Sequence, residues 1–560
     1  MFIVKETKLQ VEQSLQAVEV LRYIVVLRQF YINLEIMDVQ LSKLREYVAH
    51  DTALGLAWKL FAAGVVLYLL NVTGTIIYRL TLHPLARFPG PFLCRIGYFQ
   101  QTYYEAILNG KFLERLPAYH SKYGPVVRIN PNEVHISDTA VFHEIYKQNT
   151  HFTKDPVTYA LGMSNAITMT MQVDAHKVKR QTLDPCFSKR RVNTMEDGLY
   201  EELELLFAKI FEYGNSGEEV PIQELYYCYT GDIISRYLFG KSLDMISAPN
   251  FIERSDEMRS FTRNIWFVIH FPWVRAALGA LPKSLVFDSW QKVIWFCEDL
   301  SKDAITRFKQ TSGDHKNPNE ETIFDRMLTD DARRREKGQA SKPLTFHELT
   351  DESLAILNAG TEPTATMMAY ATYFFLHYTE TQKRIMEELE SVQRNEHGRL
   401  PLQSLENLPY FTGFIRETLR FVPLVPGRLP RVVPKGGLFV PSIKDTIPAG
   451  CVVGIDHIAI HKDSEIFERP EEFAPERWIG RSGKELNHWL VSFSKGRTDC
   501  IGKNLAYAEL YLVMANLFTR FDMELGPGSD EGMEWLDRVV IHPKKNLRIK
   551  VKAKAMKSVA

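Results

Sequence analysis

The chain lacks an excess of charge of either sign, and it lacks paired cysteines. Lys plus Arg and Asp plus Glu both number 68 in 560 residues, so the formal net charge is zero. Such a chain has no strong basic field of the kind that nucleic-acid-binding proteins use, which excludes that class. The six cysteines are scattered without a CxxC pair, which argues against a disulfide framework or a zinc site and favours a reducing compartment.

Long uncharged runs are also scarce, and the one that stands out lies near the N-terminus. Residues 60–78 contain no charged side chain, and 19 residues are long enough to cross the hydrocarbon layer as a helix. We therefore expect an N-terminal extension over 1–52, a transmembrane anchor over 53–79, a proline-rich hinge over 80–91 and one large domain over 92–560. A secretory signal peptide fits worse, because the run starts far from Met1.

The composition of the remainder is globular, with 45% hydrophobic and 12% aromatic residues in the whole chain. Near its end, Cys500 lies between two glycines, directly before residues whose apolar spacing of three and four predicts an amphipathic helix. The helix N-terminus and the cations Arg497 and Lys503 favour a thiolate, which is the form that binds haem iron. A buried structural cysteine is the alternative that this spacing alone leaves open.

The stretch around Cys500 resembles the signature of the cytochrome P450 family, F-x-x-G-x-R-x-C-x-G. The matching positions are Phe493, Gly496, Cys500 and Gly502. Thr498 occupies the arginine position, and Arg497 precedes it. The resemblance implies a mainly α-helical P450 fold with a small β region, haem as cofactor, Cys500 as the iron ligand, Phe493 and Gly502 beside the haem, and Arg497 as a propionate ligand.

Two further basic motifs match the family's haem-binding positions. His176 and Arg180 lie four residues apart, hence on one helix face, and match a pattern that binds a haem propionate in the family. Arg431 matches a propionate ligand on a strand beside the haem, with Arg428 as the reserve candidate. Without the resemblance, a solvated basic helix and a pair of surface arginines would be the simpler interpretations.

A predicted long helix begins at a capping box formed by Thr345 and Glu348 and contains the sequence Ala359-Gly360-Thr361-Glu362-Pro363-Thr364. This sequence resembles the family's oxygen-activation motif, A/G-G-x-D/E-T-T/S, with proline in place of the first threonine. We expect Glu362 and Thr364, with Thr361 as an additional alcohol, to relay protons. Pro363 removes one helical hydrogen bond and predicts a kink, and a kink that serves packing only is the alternative.

Another pair of motifs predicts a structural network. Glu417 and Arg420 form the family's E-x-x-R, and Arg477 belongs to its later P-E-R motif. A carboxylate shared by two guanidinium groups is geometrically favourable, so we expect these three side chains to meet in the interior. Such E-x-x-R pairs are also common on solvated helices, and the P-E-R motif supplies the specificity.

Two other segments carry weaker expectations. The aromatic-rich residues 260–281 fall where the family roofs its substrate pocket, and their apolar side chains would suit contact with lipid, although an ordinary core segment has the same composition. The charged residues 314–342 predict a mobile surface loop.

By the resemblance, the protein is a monooxygenase that inserts one oxygen atom from O2 into a lipophilic small molecule. Residues 83–91 (HPLARFPGP) and 123–131 (YGPVVRINP) look like the corresponding segments of fungal microsomal members close to trichodiene-oxygenase-like enzymes. This likeness implies an endoplasmic reticulum membrane, a cytosolic catalytic domain and a terpenoid or polyketide substrate of secondary metabolism. Only about 60 residues follow Cys500, too few for a flavin domain. We therefore expect electrons from NADPH through a separate reductase that docks on Lys495, Arg497 and Lys503.

Two other functions remain open from the sequence. Because Pro363 replaces the family's threonine, a haem-thiolate isomerase or dehydratase that does not use O2 is one alternative. A membrane haem-binding protein without turnover is the other. NADPH dependence separates the first from a monooxygenase, and a substrate-induced shift of the haem Soret band argues against the second.

Overall fold

The computed structural model describes residues 38–40, 42, 53–159, 162–263, 265–274, 277, 289–311, 321–339, 342–529 and 533–554. The predicted extension over 1–52 therefore lies almost entirely outside the described residues. The chain divides into two compact units, Met1–Leu82 and His83–Ala560.

In the first unit, the helix α1 spans Ala53–Thr81. The segment Gly55–Thr81 has a mean hydropathy of 2.0 and is long and apolar enough to cross a membrane. None of its most apolar window is buried against other parts of the protein. A helix that is apolar on all sides and uncovered by protein fits a lipid environment.

The second unit is mainly helical, as expected, because long stretches of its sequence carry the apolar spacing of helices. Its α-helices, in chain order, are α2 Phe92–Ile96, α3 Phe99–Thr102, α4 Leu116–Tyr123, α5 Phe142–Ile145, α6 Val173–Leu183, α7 Lys189–Asn193, α8 Glu196–Ser216, α9 Ile222–Phe239, α10 Phe251–Arg263, α11 Ile265–His270, α12 Ser289–Thr311, α13 Ile323–Glu336, α14 Phe346–His377, α15 Thr379–Glu390, α16 Leu402–Glu406, α17 Pro409–Phe421, α18 His457–His461, α19 Gly480–Leu486 and α20 Lys503–Arg520. A π-helix at Tyr103–Ile107 follows α3 directly.

The β structure of this unit is small. The strands are β1 Val126–Asn130, β2 Glu133–Ile136, β3 Thr153–Lys154, β4 Arg431–Val432, β5 Leu438–Val440, β6 Asp445–Ile447, β7 Val452–Gly454, β8 Phe521–Leu525, β9 Trp535–Arg538, β10 Val540–Pro543 and β11 Ile549–Ala553. Five of them form one sheet in the order β1-β2-β7-β4-β3, and the others pair as β5 with β6, β8 with β11 and β9 with β10. Within the sheet, the pairing of β3 with β4 places Lys154 opposite Arg431.

The long helix α14 runs through the core and packs on α9. Its N-terminus carries the predicted capping box of Thr345 and Glu348. A Cβ atom on Gly360 would lie 2.6 Å from the Ile234 side chain of α9, so only glycine permits this close approach. The helix continues through Pro363 as one element.

The charged segment 314–342 does not form a loop throughout, and our expectation for it was wrong in part. Helix α13 occupies Ile323–Glu336, and a capping box of Thr322 and Asp325 starts it. Its apolar residues Ile323, Phe324 and Met327 are buried. Three buried apolar side chains on one face are enough to hold the helix on the core, whatever the charge of its outer face.

The predicted network of Glu417 on α17 forms in the interior. Arg420 donates to both of its carboxylate oxygens, at 2.9 and 2.8 Å, and Arg477 donates from Nε at 3.0 Å. The indole N–H of Trp478 adds a bond of 2.8 Å. Glu417 is fully buried, so its charge depends on these partners, and the network joins α17 to the segment that follows α18.

We expect Glu417→Ala to lower the free energy of unfolding by about 3–5 kcal/mol, because it leaves two arginines without their buried carboxylate. Urea unfolding followed by circular dichroism measures this loss. The exposed Glu476 pairs with Arg384 in the same region, and Glu476→Ala should change stability by less than about 0.5 kcal/mol. Equal effects of the two variants would contradict the role of the network.

Candidate haem-thiolate site

The loop before α20 presents Cys500 through a backbone hydrogen bond. The N–H of Cys500 donates to the carbonyl of Phe493 at 2.8 Å, which closes the intervening residues into a compact loop. The ring of Phe493 packs on Tyr507 of α20 with centroids 5.2 Å apart. Gly502 is the N-terminal cap of α20. The predicted placement of the cysteine directly before a helix is therefore confirmed.

Gly496 packs this loop against the backbone that directly follows α5. It has φ = 73°, and a Cβ atom there would lie 2.3 Å from the carbonyl oxygen of Tyr146. Neither the backbone conformation nor the space admits another residue. The N–H of Arg497 then contacts the carbonyl of Lys147 at 3.4 Å, so the loop lies directly on the backbone that follows α5.

The residue Cys500 as a whole is exposed, whereas the other five cysteines are buried. Protein nevertheless surrounds the sulfur closely, and burial raises the pKa of the Cys500 thiol above its usual value. The N–H of Gly502 and the charges of Arg180 and Lys503 act in the opposite direction. The helix N-terminus and Lys503 therefore lower the pKa of the Cys500 thiol, as the sequence predicted. Burial raises this pKa by more than they lower it, and Arg497 is not one of the groups that lower it.

Basic side chains converge from four separate segments near this loop. We call Lys154, His176, Arg180, Arg431 and Arg497 the basic cluster. Burial, and then the neighbouring charges of Arg431 and Arg497, lower the pKa of Lys154 to about 7. Burial, and then Lys154 and the arginines, lower the pKa of His176 to about 3. The strand pairing places Lys154 opposite Arg431, and Arg431 in turn bonds to Thr498, the neighbour of Arg497.

Most of this positive charge is paired with neutral acceptors instead of carboxylates. Lys154 donates to the carbonyls of Ile167 and Thr168 at 2.9 and 2.7 Å. Arg431 donates to the hydroxyls of Tyr159 and Thr498 at 2.8 and 3.1 Å.

Two nitrogens of the basic cluster lack a partner altogether. His176 Nδ1 and Arg497 Nε are buried and have no hydrogen-bond partner among the described residues. A neutral imidazole nitrogen that can donate and a guanidinium N–H, both buried with spare hydrogen-bonding capacity, fit an anionic ligand. Haem carries two carboxylates, so the residues beside Cys500 fit this cofactor.

Two arginines that the sequence proposed for this role have other partners. Arg180 pairs with Asp184 at 2.8 Å and with Asp499 at 3.1 Å. Arg428 pairs with Glu133 at 2.5 Å and Glu105 at 3.4 Å, so it is committed to buried carboxylates and does not serve as a reserve for Arg431.

Sequence reasoning missed Lys154. The residue belongs to a strand of only two residues, and its pairing opposite Arg431 depends on a partner almost three hundred positions away in the chain. No local pattern predicts such a pairing. The sequence around Lys154 shows only a single lysine in a short segment, which by itself does not indicate a buried or functional residue.

Glu362, the acid of the predicted oxygen-activation motif, is contacted by side chains from two other elements. Glu362 of α14 pairs with Arg259 of α10 at 3.3 Å and lies 3.6 Å from Nε2 of His542 on β10. All three side chains are largely buried. Burial lowers the pKa of His542, while Glu362 opposes this change.

The open side of α14 carries Ala359 and Pro363, which lie four residues apart and are exposed and half-buried respectively. Thr361 and Thr364 are buried, and the hydroxyl of Thr361 donates to the carbonyl of Leu357 at 2.6 Å. Thr364, the alcohol that the sequence predicts for the proton relay, is therefore more buried than its neighbour Pro363.

A pocket of about 560 Å³ opens on the outer side of the cysteine loop. Its wall carries the cations Lys189, Arg416, Lys495 and Lys503. Two acids also line it, Glu406, which pairs with Lys189, and Asp499, which pairs with Lys503. Arg497 is not among its lining residues, because its guanidinium donates to the carbonyl of Phe152 at 3.0 Å. The predicted docking patch therefore retains its two lysines and loses Arg497.

Comparison with known proteins agrees with this geometry. The family model "Cytochrome P450" matches residues 88–551. The chain is 31% identical over 516 residues to cytochrome P450 monooxygenase BOT1 of Botryotinia fuckeliana, covering 89% of this chain and 96% of that protein. It is 31% identical over 495 residues to cytochrome P450 monooxygenase TRI4 of Fusarium sporotrichioides, covering 86% and 92%. The matched range contains the loop that presents Cys500, and the chain therefore belongs to the cytochrome P450 family as one of its monooxygenases.

Proposed function

We propose that the protein inserts one oxygen atom from O2 into a lipophilic terpenoid or polyketide intermediate of fungal secondary metabolism, with haem bound through Cys500. The observation that carries this proposal is the joint placement of Cys500, in a loop directly before a helix, and a buried basic cluster with two nitrogens that have no partner among the described residues. Haem supplies the oxygen chemistry when bound, and thiolate ligation favours cleavage of the O–O bond. His176, Arg431, Arg497 and Lys154 bind its carboxylates.

Protons reach the site through the acid of α14. Glu362 pairs with Arg259 at 3.3 Å and lies 3.6 Å from His542, so two basic side chains orient its carboxyl group. Thr364, one helical step beyond Pro363, is the alcohol that we assign to the relay. Pro363 contributes by leaving the carbonyl of Ala359 without its helical partner, so this oxygen can bind water on the open side of α14.

Electrons come from NADPH through a separate reductase. The pocket beside the cysteine loop supports this step, since Lys495 and Lys503 lie at its edge, close in sequence to Cys500. Cations around a concave surface favour an acidic partner and accelerate its encounter.

The substrate reaches the site from lipid. Helix α11 is bound to the π-helix through His270 and Glu105, whose side chains lie 2.7 Å apart. Both elements expose large apolar side chains: α11 exposes Phe267, and the π-helix exposes Tyr103 and Ile107. Exposed apolar side chains on neighbouring elements suit insertion at a membrane surface.

With α1 as the anchor, the protein is a single-pass protein of the endoplasmic reticulum membrane with its catalytic domain in the cytosol. The terpenoid or polyketide class rests on the likeness to fungal monooxygenases, and this step is an analogy between relatives.

A haem-thiolate isomerase or dehydratase is the second candidate, and Pro363 in the position of the family's threonine favours it. Product formation without NADPH would identify that second function.

We expect Cys500→Ser to abolish the red-shifted band that a thiolate-ligated haem shows when reduced and exposed to carbon monoxide, because serine does not supply the sulfur ligand. The difference spectrum of the purified protein measures this band. Cys186→Ser is the matched control, since Cys186 is buried, and it should retain the band. A full band in Cys500→Ser would exclude the proposed ligand.

We expect Glu362→Gln to lower the turnover rate by about 10²-fold, because it removes the acid from the proton route. Thr364→Ala should lower the amount of product formed per NADPH consumed. Both are measured with a precursor that shifts the Soret band. Thr366→Ala, at another buried threonine of α14, should leave coupling unchanged. Wild-type coupling in Thr364→Ala would remove this residue from the relay.

We expect Lys495→Glu to raise the KM for the reductase several-fold at low ionic strength and less at high ionic strength, because salt screens the attraction between the two proteins. NADPH oxidation at varied reductase concentration measures this change. Lys435→Glu makes the same charge reversal at an exposed position away from the pocket lining. An equal rise of KM in both variants would contradict a specific docking surface.

A further inference from the structure

Helix α11 is bound to other elements through side chains at both of its ends. Near its start, the indole N–H of Trp266 donates to the carbonyl oxygen of Asp537 on β9 at 2.7 Å. At its end, Nε2 of His270 lies 2.7 Å from a carboxylate oxygen of Glu105 on the π-helix, and Nδ1 lies 3.0 Å from the hydroxyl of Thr102 on α3. A helix of six residues is not stable by itself, so its docking depends on these two anchors and on the burial of its first turn.

The two anchor residues outside α11 lie close to each other. A Cβ atom on Gly110 would lie 1.9 Å from the carbonyl oxygen of Asp537, so the backbone that follows the π-helix touches β9 directly. The N–H of Gly110 donates to the carbonyl of Glu105 at 2.9 Å. Gly110 thus joins the backbones that carry the two carboxyl groups, and a movement of β9 away from the π-helix changes the spacing between both anchors of α11.

Three buried carboxyl groups at this junction face one permanent cation. The carboxyl groups belong to Glu105, Glu133 and Asp537, and the cation is Arg428. Arg428 donates to Glu133 at 2.5 and 3.2 Å and lies 3.4 Å from Glu105. Among the described residues Asp537 has no ion pair, and its carboxyl group accepts the N–H of Val539 at 2.9 Å. One guanidinium does not balance three carboxylates that are shielded from water.

Two further charged side chains lie next to this junction. His270 of α11 lies against Glu105 and adds a positive charge only when it is protonated. Arg538 follows Asp537 on β9, but its guanidinium donates to the carbonyl of Arg263 on α10. The permanent charges at the junction are therefore unequal, with more carboxylates than cations.

Asp537 is the group that can remove this excess of negative charge. Burial, and then the neighbouring Glu105, raise the pKa of Asp537 to about 7, while the N–H of Val539 and the charge of Arg428 act in the opposite direction. The carboxyl group therefore holds a proton below neutral pH. When it loses this proton, Asp537 and Glu105 repel each other across the contact between β9 and the π-helix.

We propose that Asp537 is a proton-linked switch for α11: the helix docks on the π-helix while Asp537 is protonated, and it is released when Asp537 ionises. Release separates two elements whose exposed side chains, Phe267, Tyr103 and Ile107, suit contact with lipid. A lipophilic molecule that enters between these elements therefore passes more easily when Asp537 is ionised. This last step rests on the proposed function, whereas the docking of α11 does not.

The first test measures hydrogen–deuterium exchange of the α11 amides in the substrate-free holoprotein at about pH 6 and about pH 8, with each rate divided by the intrinsic exchange rate. In the docked form the pKa of Asp537 is about 7, and in the released form contact with water returns it to its ordinary value of 3.8. Docking is therefore strongest below pH 3.8 and weakens as the pH rises through 7. The equilibrium constant for release should rise about tenfold between the two conditions.

Four variants separate the switch from a general effect of pH. Asp537→Asn keeps the shape of the side chain and does not ionise, so protection of α11 should be the same at both pH values. Asp232→Asn is the matched control, because Asp232 on α9 is another buried aspartate, whose pKa burial raises to about 6, and it should keep the tenfold change. If Asp537→Asn does not fold, Glu105→Gln removes the carboxylate that repels Asp537 and should reduce the change. His270→Ala removes an anchor and should weaken protection at both pH values.

The second test measures how fast metyrapone enters the holoprotein. This pyridine is largely uncharged at both pH values, and it binds haem iron and shifts the Soret band. In the wild type its rate constant for entry should be several-fold higher at the higher pH, because α11 is released more often. In Asp537→Asn the rate constant should not depend on pH.

The proposal is overturned if protection of α11 in the wild type does not change with pH, or if Asp537→Asn keeps the wild-type change. It is also overturned if protection changes with pH while the entry rate of metyrapone does not. A wild-type protein without any thiolate band would instead refute the proposed function, and exchange of the α11 amides would still report on the switch, so the two failures are distinguishable.

Discussion

The hydrogen bond from the N–H of Cys500 to the carbonyl of Phe493 is the interaction on which the site depends. This bond fixes the position of Cys500 through the backbone alone, without a contribution from side chains. The cost is a strained loop, with Ser494 at φ = 57° and Gly496 at φ = 73°. Contact with the backbone of Tyr146 holds that strain in place. The loop, the end of α5 and the start of α20 therefore form one rigid support for the sulfur.

Around this support the protein gathers positive charge that its own acids do not neutralise. Burying like charges together destabilises a fold, and neutral acceptors such as the carbonyl of Ile167 and the hydroxyl of Tyr159 reduce this cost without removing it. A bound anion removes it by direct pairing. Because only the folded chain assembles the cluster, anion binding and folding are linked, and the cofactor stabilises the fold by mass action.

The sequence predicted those parts of the site whose determinants are local. The cysteine loop, the capping box of α14 and the Glu417 network all follow from residues within one helical turn or from two short motifs. Lys154 was missed because only the pairing of β3 with β4 brings it to Arg431. The pairing of Arg180 with Asp499 was missed because it joins residues 319 positions apart in the chain, and no local pattern predicts such a contact.

The partners of Glu362 on α14 could not be predicted for the same reason, because they are distant in the chain. Helical spacing places Glu362 one residue before Pro363, but its environment comes from α10 and β10, which supply Arg259 and His542. Arg259 lies on the helix that precedes α11, and Trp266 of α11 is itself bound to the carbonyl of Asp537 on β9 at 2.7 Å. The orientation of the Glu362 side chain thus depends on the two elements that supply Arg259 and His542. In this chain the helix supplies the carboxylate, and the surrounding elements decide where it points.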